Sequence, residues 1–146
     1  MHPSIMIIDP DIGAAQTTQA GLLRGLPGVT TTIATQLDRN WPTSTDLRPD
    51  VVILDPSPYS LSGMRLIQRL HEFSPRIAIV VLASTPTPAL RQIARELDVD
   101  VYLEKPTSLP TLLAHLEQLL GRVQLPDAVV RADYAYVPQP KDGLAS

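Results

Sequence analysis

The sequence predicts an α/β fold: a five-stranded parallel sheet, doubly wound, with helices on both faces to make three layers. Three observations lead there. Short apolar runs alternate with segments of helical period along most of the chain. The runs at residues 51–54 and 77–82 are apolar at every position, as strands buried on both faces are, rather than alternating. Two runs also end on charge: Asp55 follows Val51-Val52-Ile53-Leu54, and Lys105 follows Asp100-Val101-Tyr102-Leu103-Glu104. Strand ends of a parallel sheet meet at one edge, where ligands bind. A carboxylate and an ammonium delivered there suggest a site that handles an anion.

Taken in order, residues 5–8 form a first strand, and residues 12–24 a helix with Ala15, Leu22 and Leu23 on one face. Pro27-Gly28 turns the chain into a threonine-rich second strand at 29–34. Residues 35–48 carry only the broken pattern of Leu37, Trp41 and Leu47, and Pro42 can start a helix but not sit inside one. After the third strand, Gly63 opens a helix with Leu66, Ile67, Leu70 and Phe73 at helical spacing, ending near Ser74-Pro75. Beyond the fourth strand, Pro88 suits a first helical turn, and Leu90, Ile93, Ala94 and Leu97 repeat at i, i+3, i+4, i+7. Beyond the fifth, Leu109, Leu112, Leu113, Leu116, Leu119 and Leu120 make a stripe ending at Gly121. Right-handed crossovers connect such β-α units.

With 146 residues the chain holds one domain, expected at residues 1–121. Residues 122–146 differ in kind: Pro126, Pro138, Pro140, a Val129-Val130 pair, Tyr134 and Tyr136 read as a flexible or loosely docked tail. Such a tail is too short for an output domain, which needs about 50 residues. The fifteen prolines are about twice the usual share and stiffen the turns between elements. The absence of cysteine excludes disulfides and thiolate chemistry and points to the cytoplasm. No run approaches the ~20 apolar residues of a membrane span, and the N-terminus lacks the basic region of a signal peptide. A net charge of −3 without a basic cluster argues against nucleic acid as a direct partner. His2, His71 and His115 lack metal-ligand spacing.

Asp55, Gly63 eight places later, and the pair Lys105-Pro106 stand in the order and at the spacing of the receiver domain of two-component response regulators, a CheY-like, flavodoxin-like fold that this chain resembles over roughly residues 4–121. The resemblance implies that Asp55 accepts a phosphoryl group from a sensor histidine kinase or phosphotransfer protein, and that Lys105 pairs with that group. It implies that Tyr102 occupies the aromatic switch position, three residues before the lysine. It further implies Mg²⁺, held by Asp55 and by two acids after the first strand, because phosphoryl transfer gathers negative oxygens whose charge must be stabilised.

Here Pro10 splits those acids. Aligned on the strand end, Asp9 is the first acid and Pro10 replaces the second; aligned on the helix stripe, Asp11 is the metal ligand. The same tripeptide is also a good helix start, with Asp9 as N-cap, Pro10 at the first helical position and Asp11 in the first turn. After the fourth strand, Ala83 stands where the family has a Thr or Ser hydroxyl, and Ser84 supplies one only if the loop is shifted.

The expected function is a stand-alone receiver, not an enzyme beyond gaining and losing its own phosphoryl group, that signals to a downstream protein. A homodimer through Arg91, Arg95, Asp98 and Glu117 is a further expectation, and no membrane partner is expected. Two other readings compete. One is a pseudo-receiver that acts without phosphorylation. The other is a phosphatase, since Asp9-Pro10-Asp11 after an apolar run also resembles the first motif of the haloacid dehalogenases.

Overall fold

A computed structural model of the chain describes residues 2–35, 48–56 and 60–123. The elements are β1 (Ser4–Ile8), α1 (Ile12–Gly25), β2 (Thr30–Ala34), β3 (Val51–Leu54), α2 (Ser60–Phe73), β4 (Ala78–Ala83), α3 (Pro88–Glu96), β5 (Val101–Glu104) and α4 (Leu109–Val123). All strand pairs are parallel, and the sheet order is β2-β1-β3-β4-β5. This is the doubly wound sheet that the sequence predicts. The reversal of strand order falls between β1 and β3, so a crevice is expected at their C-terminal ends.

Side chains alternate across each strand and divide the core in two. One layer joins Ile5, Ile7, Val51, Ile53, Val80, Val101 and Leu103 to Leu22 of α1 and to Leu112, Leu116 and Leu119 of α4. The other joins Val52, Leu54, Ile79, Val81, Ala83 and Tyr102 to Ile67 and Leu70 of α2 and to Leu90 and Ala94 of α3. Val51–Leu54 and Ala78–Ala83 are buried throughout, which explains why their sequences do not alternate.

Several local expectations shift. α2 begins at Ser60, three residues before Gly63, and α4 runs through Gly121 to Val123. Gly121 has open space around it in the last turn, where a glycine costs only about 1 kcal/mol of helix propensity. Leu23 is half exposed rather than buried, because the inward face of α1 runs through Ala15 and Leu22, and Leu23 lies about 100° round from it. The stretch with Leu37, Trp41 and Leu47 and the tail with Tyr134 and Tyr136 lie outside the described residues.

α1 and α4 pack closely because α1 carries Gly21 and Gly25 one turn apart. A Cβ at Gly21 would stand 2.7 Å from Leu109 Cδ1, and one at Gly25 2.5 Å from Leu113 Cδ1. The start of α4, which directly follows Lys105, is thereby seated on α1, which directly follows the Asp9 loop.

Candidate functional site

Backbone pairing continues one residue past the strands and fixes the three charged groups at the sheet edge. Asp9 N donates to Ala34 O at 3.1 Å, Asp55 N to Ile8 O at 2.9 Å, and Lys105 N to Ala83 O at 2.8 Å. Each site residue is therefore positioned by a neighbouring strand rather than by a loose loop. Their side chains converge: Lys105 Nζ lies 3.0 Å from Asp9 Oδ2 and 3.1 Å from Asp55 Oδ2. Both acids are buried. The lysine keeps 24% of its side-chain surface exposed.

The remaining oxygens of the two acids are held by backbone. Asp11 N donates to Asp9 Oδ1 at 2.9 Å, and Ser84 N donates to Asp55 Oδ1 at 3.3 Å. Burial opposes the charge of Lys105, but the hydrogen bonds and charges of Asp9 and Asp55 together outweigh it and raise its pKa above the ordinary lysine value. The group is an ammonium throughout the physiological range.

Asp9, Pro10, Asp11, Ala14, Asp55, Ser84, Thr85 and Lys105 line a cleft of about 340 Å³. Two anions share one cation in it, and the cleft is open above them. Such a site can admit a further anion once its charge is offset, and it places a buried carboxylate next to that anion.

The sequence-predicted residues separate into groups. Asp9, Asp55 and Lys105 meet. Asp11 lines the same cleft but is the N-cap of α1, its Oδ1 accepting from Ala14 N at 3.2 Å. The cap thus falls on Asp11 and not on Asp9, because Asp9 is still held in strand register by Ala34. Ser84 is exposed at the cleft and presents its backbone N–H to Asp55. Ala83 is fully buried on the α3 face of the sheet, in the same core layer as Tyr102. Among the described residues, no group of three or more Asp, Glu, His or Cys side chains gathers where a metal ion could sit.

Sequence reasoning missed Glu104, read only as a neighbour of Lys105. Its side chain is buried, accepts a hydrogen bond from Tyr102 Oη at 2.7 Å, and forms an ion pair with Arg91 of α3. The available signal was an acid two places from Tyr102, hence on the same face of an otherwise apolar strand. Arg91, counted above among charges for a homodimer, is engaged within the chain.

Compared with known proteins, the chain matches the family model of the response regulator receiver domain over residues 5–117. The chain belongs to this family. It is 28% identical over 121 residues to the transcriptional regulatory protein PrrA of Mycobacterium leprae, an alignment covering 82% of this chain and 51% of PrrA. It therefore spans about half the length of that relative. The crystal structure of a CheY-like receiver domain protein from Methanospirillum hungatei superposes with a TM-score of 0.75 at 17% identity, covering 85% of this chain and 98% of the other. A receiver domain from Bermanella marisrubri gives 0.69 at 25% identity, covering 82% and 99%.

The receiver is the signalling module of two-component systems, generally non-enzymatic and phosphorylated on an aspartate, and response regulators interact with histidine kinases or phosphotransfer proteins. Receivers generally bind Mg²⁺ at an acidic pocket. The family match over residues 5–117 decides against the haloacid dehalogenase reading of Asp9. Among the described residues, no helix is long and apolar enough to cross a membrane.

Proposed function

We propose that this receiver takes its phosphoryl group on Asp55, with Lys105 as the group that receives the incoming charge. The observation that carries the reading is the placement of Lys105 Nζ, 3.1 Å from Asp55 Oδ2 and tied also to Asp9. A carboxylate oxygen of Asp55 attacks phosphorus of a phosphohistidine on a sensor kinase or phosphotransfer protein. The P–N bond breaks, its electron pair leaves with the imidazole, and Asp55 becomes an acyl phosphate. Asp55 is buried beside backbone N–H and ammonium donors, so no solvent reorganisation is needed to stabilise the developing charge.

The donor set fits Mg²⁺ in a reduced form. Asp9 and Asp55 offer hard carboxylate oxygens on either side of a cation, and Mg²⁺ is commonly held by one or two carboxylates with waters and phosphate completing the shell. Bound there, it would supply charge stabilisation to the phosphoryl oxygens. Asp9 and Asp55 would hold it, while Asp11 is committed to the α1 cap and Lys105 competes for the same oxygens. Affinity is accordingly lower than in a receiver with two adjacent acids.

The test is incubation with acetyl phosphate and Mg²⁺, read by intact mass, for the unmodified protein and Asp55→Asn. One phosphoryl adduct, absent from the Asn variant, is expected. An adduct that persists in Asp55→Asn overturns the assignment. A second reading, an interaction module that works without phosphorylation, is supported by Ala83, which leaves the end of β4 without a hydroxyl. Inertness of the unmodified protein to the phosphodonor would select it.

A further inference from the structure

Glu104 is a carboxylate inside an apolar strand, exposed by only 4%. A buried charge of this kind is tolerated only where it is paired and hydrogen-bonded. Its partners come from two elements. Arg91 of α3 makes a two-pronged contact, Nε to Oε2 and Nη2 to Oε1, the latter at 3.1 Å, and the Tyr102 hydroxyl donates to Oε2 from β5 itself. Arg91 lies one residue after Leu90, a buried anchor of α3, and four residues after the Thr87 N-cap, whose Oγ1 accepts from Leu90 N at 3.0 Å.

Tyr102, 1% exposed, cannot turn outward without giving up the Glu104 bond and exposing a whole aromatic ring. Register adds a third participant. Ala83 is the β4 partner of Glu104, as Val81 is of Tyr102, so a side chain of one methyl group stands directly beside the acid.

We propose that Glu104 is an internal latch: by holding Arg91 and Tyr102 together from within the core, it fixes α3 against β5 in one arrangement. The α3–β5 surface is then preset, and it does not respond to what binds at Asp55. The meaning of that surface for signalling rests on the receiver reading above; the latch itself is tested without any ligand. Glu104, Arg91 and Tyr102 act here as positioning residues.

The experiment is amide hydrogen exchange by NMR on the full chain, comparing residues of α3 with those of α1, for the unmodified protein, Glu104→Gln and Tyr102→Phe. Glu104→Gln keeps the shape and removes the charge; Tyr102→Phe removes one hydroxyl and cannot disturb the packing much. Loss of a charge-assisted bond should speed α3 exchange about tenfold or more in Glu104→Gln, with less effect on α1, because only the α3–β5 contact is released. Tyr102→Phe should show the same selectivity with a smaller factor. Equal acceleration of α1 and α3, or none in α3, in both variants overturns the latch.

Beryllofluoride is then added to the unmodified protein and to Glu104→Gln. Binding without chemical-shift change in α3 of the unmodified protein, and with change in the variant, supports a preset surface. Shifts across α3 in the unmodified protein overturn it. Failure of beryllofluoride to bind at Asp55 would count against the phosphoacceptor reading, and the exchange result alone would then decide for or against the latch.

Discussion

Replacing Lys105 by Met tests the geometry of the site most directly, since it keeps a side chain of similar length and deletes only the ammonium. In the unmodified protein that ammonium is 3.0 Å from one buried carboxylate and 3.1 Å from another. At an effective dielectric near 20, each contact has a gross Coulomb energy of about 5–6 kcal/mol, most of which is cancelled by desolvation. Removing one partner of a buried pair typically costs about 3–5 kcal/mol because the other charge is stranded. Lys105 is a quarter exposed, so water takes up part of the loss, and we expect about 2–3 kcal/mol.

Urea unfolding at pH 7 with an unchanged slope measures it. Asp9→Asn alone leaves the Lys105–Asp55 contact in place and should cost less. The double variant should be less destabilised than the sum of the singles by about 1 kcal/mol, since the second change removes one of the two carboxylates stranded by the first. The pH dependence has a definite sign. The folded-state pKa of Lys105 is raised, so its stabilisation is fully present below the unfolded value of 10.5 and is lost as pH rises through the higher folded value. The gap between the unmodified protein and Lys105→Met should hold at neutral pH and close in strong alkali. A Lys105→Met variant within about 0.5 kcal/mol of the parent, or strict additivity with Asp9→Asn, would refute the assignment of the ammonium to this pair.

Two further outcomes follow from the same contacts. Asp11→Ala should lower stability by about 1 kcal/mol in urea unfolding through loss of the α1 cap, yet change Mg²⁺ affinity in an NMR titration far less than Asp9→Asn does; tight binding lost with Asp11 and kept without Asp9 would reverse the roles given to the two acids. Gly21→Val should destabilise by about 1–3 kcal/mol, measured by thermal or urea unfolding, because its Cβ would stand 2.7 Å from Leu109 Cδ1 and the leucine would have to give up its place against α1; a neutral result would mean that the Leu109 side chain swings aside at little cost.

What was legible in the sequence tracks how local the physics is. Strands β3 and β4 could be read because burial on both faces leaves an unbroken apolar run, and α3 because Pro88 and the Leu90–Ile93–Ala94–Leu97 spacing mark one helix start and face. Lys105 and Asp55 could be paired because parallel strand ends must meet. The α1 face was misread at Leu23 because two adjacent leucines both fit a broad stripe, and only the sheet beneath decides between them. Gly21 and Gly25 carried no signal of their own, since their role exists only with Leu109 and Leu113 opposite, far along the chain. The Asp9-or-Asp11 question was undecidable from sequence because both registers satisfy strand and helix. The start of the helix is fixed by one long-range bond, Asp9 N to Ala34 O, which keeps Asp9 in the strand and leaves Asp11 to cap the helix; which acid would hold a metal is the matter of the Asp11→Ala and Asp9→Asn titrations.

The side chains at the ends of β4 and β5 divide between the sheet edge and the α3 face, and that arrangement limits how the site can speak to the rest of the molecule. β5 sends Lys105 to the edge, and two of the residues before it, Tyr102 and Glu104, to the α3 side; β4 sends Ser84 to the edge and Ala83 to the α3 side. A ligand at Asp55 shifts a conformational equilibrium only by interacting differently with its two states. At the edge it meets Lys105 and the backbone N–H of Ser84, groups already held in place by strand pairing and by Asp9. On the other face, Glu104 has its own cation in Arg91 and its own donor in Tyr102. The two networks share the backbone of β4 and β5 but are built from different side chains. The Asp55 carboxylate and the Tyr102 ring thus belong to separate networks, each satisfied by its own partners. A change of charge at Asp55 would be read mainly at the cleft itself, by whatever docks over Asp9, Asp55 and Lys105, rather than across the sheet at α3.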